Sequence, residues 1–464
     1  MVKKFRPVGL LLVLAMVVMV VVPSATASPK AQNAHLQFWS TETQPARAEK
    51  TKAIIDRFTE QTGIGVTLVL TDENTLDSLM AANQAAGTLP DVIFHPVDFT
   101  AAWNAEGILD ADAATKVIND LGADTFSALN LVMTPDGKYG AVPTDGWGQL
   151  LIYRADLFAA AGLDVPNTFD KIEAAAEALN DPGNNFYGIT ASTDPSAVFT
   201  QQTFEHFALA NGVQLTDDQG NVTLDTPAMV DTIRFYANLL SNYGPPGVGD
   251  VVSTRATYFA GQAAMIVWSP FILDEMAGLR DAALPNCPQC ADDPAFLAKN
   301  SGFVPAFVGP DGDKPAQYGQ VSNMGISTTA NTDAAVQFVE FWLSDGYLDW
   351  LGVSPEGKFP MHRGTPDDPT KYIDGWSTLE TGVDRRAPLG DFYSQDTLQA
   401  LIQGATGFDR WGFAQGQGEL VSGIYSELPV PTVLGDVLSG STSPEDAAAE
   451  IQSWVEDIQS SLQQ

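Results

Sequence analysis

The chain has 464 residues, 45% of them apolar and including nine Trp and 24 Phe, enough to fill two hydrophobic cores. With 57 Asp and Glu against 23 Lys and Arg, its formal charge is −34. That field repels nucleic-acid phosphates and anionic lipid, which excludes binding to either through a basic face, and it disfavours self-association, so a monomer is expected.

At the start, Lys3, Lys4 and Arg6 precede an apolar run from Val8 to Val22, closed by Pro23 and the small residues Ser24 to Ala27. The run is short of the roughly 20 residues that a membrane-crossing helix needs, and Ala25-x-Ala27 fits a signal-peptidase site. Residues 1–27 therefore read as a secretory signal peptide, with a retained membrane anchor as the alternative. No Cys follows the run to take a lipid, so the mature chain is expected across the cytoplasmic membrane, periplasmic or associated with the cell surface.

His35 to Trp39 reads as a strand, Ala46 to Glu60 as an amphipathic helix, and Ile64 to Leu70 as a second strand. Asp77 to Ala86 is helical up to Gly87, and Asp91 to Phe94 is a strand of buried type. Strands alternating with helices define the class as α/β and predict a mostly parallel sheet covered on both faces. Tyr139 to Pro143 is extended, Thr144 to Gly148 reads as a Gly-bracketed turn, and Gln149 to Arg154 as a strand. Helices follow over Ala155 to Ala161 and from Thr168, a capping residue, to about Leu179. Gln262 to Trp268 is a buried strand, and Asn331 to Trp342 and Ser443 to Leu462 are helices.

Cys287 and Cys290 stand in a Pro-, Asn- and Asp-rich loop of a chain bound for an oxidising compartment, which points to a small local disulfide. A redox-active CxxC would open a helix after a strand, and zinc would need two more ligands from only four histidines, so neither is favoured. The turns Asp217 to Asn221 and Gly309 to Asp313 lack the ligand spacing of a calcium loop. No metal or cofactor is expected.

Several separated segments, in order, resemble the extracellular solute-binding proteins of bacterial sugar transporters, the family that includes the maltodextrin-binding protein. Gly137 to Pro143, Leu151 to Phe158 with Ala161 to Leu163, and Val165 to Asp170 are similar to the family's GKxYGVP, LYYNKDLFxxAGL and PxTWDE elements. Leu89 to Phe94, Gly107 to Asp110, Phe259 to Met265, Ala334 to Phe338, Phe359 to Arg363 and Gly440 to Ala447 extend the likeness over nearly the whole mature chain. The resemblance implies a periplasmic-binding-protein-like fold of two α/β lobes with a multi-strand hinge and a ligand cleft between them. It places lobe I at 33–142 plus 305–345 and lobe II at 143–304 plus 346–464. It implies an ABC-transporter substrate-binding protein that captures a sugar or oligosaccharide by lobe closure and delivers it to permease subunits in the membrane.

A sugar site needs flat aromatic platforms for C–H faces and carboxylate, amide or Arg groups for hydroxyls, and strand carboxyl ends are where it should be sought. Glu42 follows the first strand, with helix capping as its other reading. His95 and Asp98 follow the Asp91 to Phe94 strand, at positions that face the cleft in relatives, although Asp98 could cap a helix. The resemblance makes Trp147 the leading candidate. Asp145 beside it either accepts from sugar hydroxyls or shapes the turn. Trp268 and Phe271 match an aromatic-bearing loop of the family or pack in the core. Arg410 and Trp411 form either a lid or a surface bridge, and Arg363 either meets ligand or pins two segments together. A histidine where an aromatic often stands, and few obvious cleft carboxylates, put a long α-glucan in doubt. The rival function is a secreted glycoside hydrolase with a carboxylate pair about 5–10 Å apart. No nucleophile-elbow, zinc-protease, P-loop or dinucleotide motif occurs to favour catalysis.

Overall fold

The computed structural model describes residues 34–462; the expected signal peptide lies outside them. Two sheets organise the chain. The larger is built from β1 (His35–Ser40), β2 (Gly65–Leu70), β3 (Val92–Pro96), β4 (Val142–Gly148), β8 (Gly319–Ile326) and the short β9 (Phe359–Pro360), in the order β2-β1-β3-β8-β4-β9. The smaller has β5 (Leu150–Arg154) between β6 (Met265–Trp268) and β7 (Ser301–Val304).

The parallel sheet expected from the sequence is confined to β2-β1-β3. Strands β8 and β9 run antiparallel to their neighbours, as do both pairings in the smaller sheet. The reason is connectivity: β8 brings the chain back after the smaller sheet and enters between β3 and β4 from the opposite direction.

Aromatic packing closes each core. The helices Pro45–Thr62 and Thr332–Trp342 set Phe58, Phe338 and Trp342 around Phe38 of β1, with Phe38 5.4 Å from Phe338 and 5.3 Å from Trp342. Behind the smaller sheet, Phe169 stacks on Phe235 at 4.0 Å and Phe207 meets Phe307 at 5.0 Å. The expected cap at Thr168 forms, its side chain accepting from the Lys171 amide, and Asn331 caps its helix by accepting from the Ala334 amide. Cys287 and Cys290 are disulfide-bonded, their Cα atoms 4.9 Å apart.

Thr144 to Gly148 is not a turn. It is the second half of β4, running beside β8 with a register shift between Pro143 and Asp145. Gly146 and Gly148 serve close approach: a Cβ on Gly146 would lie 2.9 Å from the Gln320 carbonyl oxygen, and one on Gly148 would lie 3.0 Å from the Gly404 backbone. Residues 347–362 pack with the larger sheet. There β9 pairs with β4, Trp350 donates to Asp145, and the helix Tyr347–Leu351 packs on Pro45–Thr62.

Candidate functional site

A cavity of about 320 Å³ lies between the two sheets. From the larger sheet it receives residues at the carboxyl ends of the parallel strands: Thr41, Glu42 and Gln44 after β1, Glu73 and Asn74 after β2, and Phe94 and Pro96 of β3. Trp147 of β4, Gln320 and Ser322 of β8 and Lys358 complete that wall. Trp268, which ends the smaller sheet's β6, and Ser269, Phe271 and Glu275 after it form the other wall, with the start of the helix Val198–Ala210 and Arg255. Open α/β sheets gather ligand groups at strand carboxyl ends because the chain leaves the sheet there in loops.

Five aromatic rings line this space: Phe94, Trp147, Phe199, Trp268 and Phe271. Trp147 stands edge-on to Phe271 at 6.4 Å, and Trp268 to Phe199 at 4.8 Å. Arg47 covers the Phe271 ring at 4.8 Å. Gly357 lets that ring lie against its backbone, because a Cβ there would fall 2.3 Å from the ring.

Charged groups on the walls are largely paired. Glu42 accepts from Lys358 Nζ at 2.6 Å and from Arg47 Nη1 at 3.3 Å. Burial alone would push its carboxyl up, but these two cations hold it at about 2, so Glu42 is an ionised, fixed acceptor. Arg255 holds Glu275 at 2.9 Å.

Of the residues singled out in the sequence, Glu42, Trp147, Trp268 and Phe271 line the cavity. The others do not. His95 is fully buried, with Nδ1 2.9 Å from the Pro96 carbonyl oxygen and its ring on Trp103, and burial pulls it down to about 4. Asp145 is buried behind the wall, taking hydrogen bonds from Trp350 Nε1 at 2.7 Å and Lys358 Nζ at 3.3 Å. Arg363 donates to the carbonyls of Asp124 and Thr125, and so pins two segments of the chain.

Asp98, Arg410 and Trp411 belong to a buried clasp. Arg410 pairs with Asp98, reaches Glu205 Oε1 at 3.2 Å, donates to the Gly319 carbonyl and lies over the Tyr318 ring at 4.7 Å. Trp411 donates from its backbone to Glu205 and from its indole to the Val213 carbonyl at 3.0 Å. Asp98 follows β3 of the larger sheet, whereas Glu205 sits on Val198–Ala210 beside the smaller one. The clasp ties the two halves together, and none of Asp98, Arg410 and Trp411 lines the cavity.

The lining residues that the sequence reading passed over include Glu73, Arg47, Gln202, Arg255, Glu275 and Lys358. Glu73 could have been found: it follows β2, and the carboxyl-end rule that led to Glu42 applies there equally. Gln202 carries no such signal, because 12 of the 13 residues of its helix are buried and its sequence shows no apolar stripe.

Two α/β halves joined through the adjacent strands β4 and β8, with a polar, aromatic-lined cavity between them, define a cleft-type binding protein. The chain belongs to the bacterial extracellular solute-binding protein family, whose sequence model matches residues 42–348. It is 28% identical over 426 residues, 90% of this chain and 93% of the relative, to YcjN of Escherichia coli K12, by name a periplasmic-binding protein of an ABC transporter. Two solved structures share the fold. One is maltose-bound MalE3 of T. maritima, with a TM-score of 0.70, 20% identity, and 92% of this chain and all of that one covered. The other is a sugar transporter protein of Arthrobacter chlorophenolicus with laminaribiose, at 0.71, 17%, 91% and 99%. Among the described residues no helix is long and apolar enough to cross a membrane, and no cluster of His, Cys, Asp or Glu is arranged to hold a metal ion.

Proposed function

We infer that the protein captures a small carbohydrate in the cavity between its sheets and delivers it, unchanged, to an ABC permease. The observation that carries this reading is the composition of the walls. Five rings supply apolar faces for sugar C–H groups, while Glu42, Asn74, Gln202 and Ser322 supply polar groups for hydroxyls. The cavity volume is at the small end for ligand sites, which favours a mono- or disaccharide over a long glucan. Names of relatives and the sugars in structural neighbours support the same class.

The working division is one lobe of 34–148 with 319–376 and another of 149–318 with 377–462, hinged where β4 meets β8. The chain acts outside the cytoplasmic membrane, exported by residues 1–27, and as a monomer. Binding rather than hydrolysis is the reading because the family and the relatives it matches are binding proteins by name, and Glu42 is locked to two cations and cannot act as a proton donor.

A thermal-shift panel of monosaccharides, disaccharides and polyols, including maltose and laminaribiose, tests this. A ligand at about 100 times its Kd stabilises the native state by about 2.7 kcal/mol. Chromatography of the recovered sugar should show it intact. Cleaved sugar, abolished by a carboxylate substitution, would favour the hydrolase.

A further inference from the structure

The charges around the cavity do not balance. Arg255 is committed to Glu275. Arg47 is shared between Glu42 at 3.3 Å and Glu356 at 3.7 Å, and Lys358 between Glu42 at 2.6 Å and Asp145 at 3.3 Å. Two cations thus serve three carboxylates. Glu73 lines the same cavity, and its carboxyl group makes no hydrogen bond or ion pair.

The charged groups that act most on Glu73 are the carboxylates of Asp98, itself paired with Arg410, of Glu42, paired with Lys358 and Arg47, and of Asp72, which oppose its ionisation, and Lys358, which favours it but is already shared. Burial, followed by the three carboxylates, pushes its carboxyl up from 4.5 to about 7. A surplus carboxyl on a cavity wall is relieved by a cation. A neutral sugar can donate hydroxyls to it but leaves the charge uncompensated, whereas an ammonium both donates and neutralises. The surroundings suit a cation further: the rings of Trp147, Phe199 and Trp268 line the space, and the chain's formal charge of −34 draws cations toward it.

Resting on the carbohydrate reading of this cavity, we propose that the ligand is a saccharide carrying a protonated amino group, and that Glu73 is the residue that selects it. Glu73 follows β2 on the larger sheet's wall of the cavity, facing the wall formed by Trp268 and Phe271. As the ammonium docks, a protonated Glu73 releases its proton to solvent, so binding near neutral pH is linked to proton release.

The test is titration calorimetry on the mature protein with matched pairs: glucosamine against glucose, galactosamine against galactose, and their β-1,4 disaccharides. Each is run in two buffers of different ionisation enthalpy. The expected result is that the amino member of at least one pair binds about tenfold or more tighter, with a heat that depends on the buffer. Glu73→Gln should then lose about tenfold or more for the amino sugar and less than about threefold for the neutral one, with an unchanged or higher melting temperature. Neutral sugars binding as tightly as amino sugars, or an unchanged ratio in Glu73→Gln, would overturn the proposal and leave the carbohydrate reading standing. Failure of every saccharide in this panel and in the broader thermal-shift panel would overturn both.

Discussion

Replacing Arg410 by Ala separates a ligand contact from a structural clasp. Asp98 is 1% exposed and Glu205 fully buried, so neither carboxylate can recruit water once the guanidinium is gone. Breaking a buried ion pair from one side costs about 3–5 kcal/mol, because the partner is left charged in a poorly polarisable interior. Here two partners are stranded, and the cation–π contact with Tyr318 at 4.7 Å goes with them, so the upper end applies. Against a native stability of about 5–15 kcal/mol, that is a third or more. Denaturant unfolding with linear extrapolation measures the loss, and calorimetry with the cognate sugar measures affinity on the same sample. A compensated variant, Arg410→Met with Asp98→Asn and Glu205→Gln, should recover most of the stability, since removing a buried ionic cluster as a unit is often near neutral. The clasp reading is refuted if Arg410→Ala keeps its stability within about 1 kcal/mol while affinity falls about tenfold or more.

Trp147→Ala should lower sugar affinity by about 2–4 kcal/mol as an aromatic anchor, and, because the ring is only 8% exposed and meets both Phe271 and Tyr318, it should also lower apo stability by about 3 kcal/mol. Calorimetry paired with a melting curve reads both, and unchanged affinity would remove Trp147 from the site. For His95, the folded value of about 4 lies below the unfolded 6.5, so the unfolded chain takes up the proton first as pH falls. Its contribution is complete above about pH 6.5 and shrinks toward pH 4 by about 3 kcal/mol, so His95→Gln should flatten the decline of the urea midpoint over that interval.

How much of this was legible in the sequence depended on whether the controlling signal was local. Strands β1, β2, β5 and the helix cap at Thr168 are set by residues within a few positions of one another, and they appear where the sequence pattern put them. The Thr144 to Gly148 segment was misread because glycine has two uses. It permits unusual dihedrals, and it permits backbones to touch; only the three-dimensional neighbours Gln320 and Gly404 reveal the second. The site divides in the same way. Glu42 was found from a strand end, whereas Asp98 and Arg410, 312 residues apart, carried no sign that each was the other's partner. Asp145 stands two residues from the cavity residue Trp147 in the chain, yet its carboxylate is taken up by Trp350 and Lys358.

The paired charges also explain why a cavity so rich in ionisable groups can be ready for a ligand. A carboxylate that must first shed water or swing away from a neighbour spends binding energy on reorganisation, and one already fixed by cations does not. Glu42, held by Lys358 and Arg47 at about 2, is an acceptor whose position and charge are set before any sugar arrives. Gln320 is fixed likewise: its amide donates to Asp98 at 2.5 Å while its carbonyl accepts from the Val321 backbone at 3.0 Å, so this wall residue is braced by the clasp behind it. Glu73, at about 7, is the contrasting case of a carboxyl in the same cavity with no cation bonded to it. Two carboxyl groups with such opposed surroundings answer different parts of a ligand: the braced one a hydroxyl whose geometry must be matched, the unbraced one a group whose charge must be met.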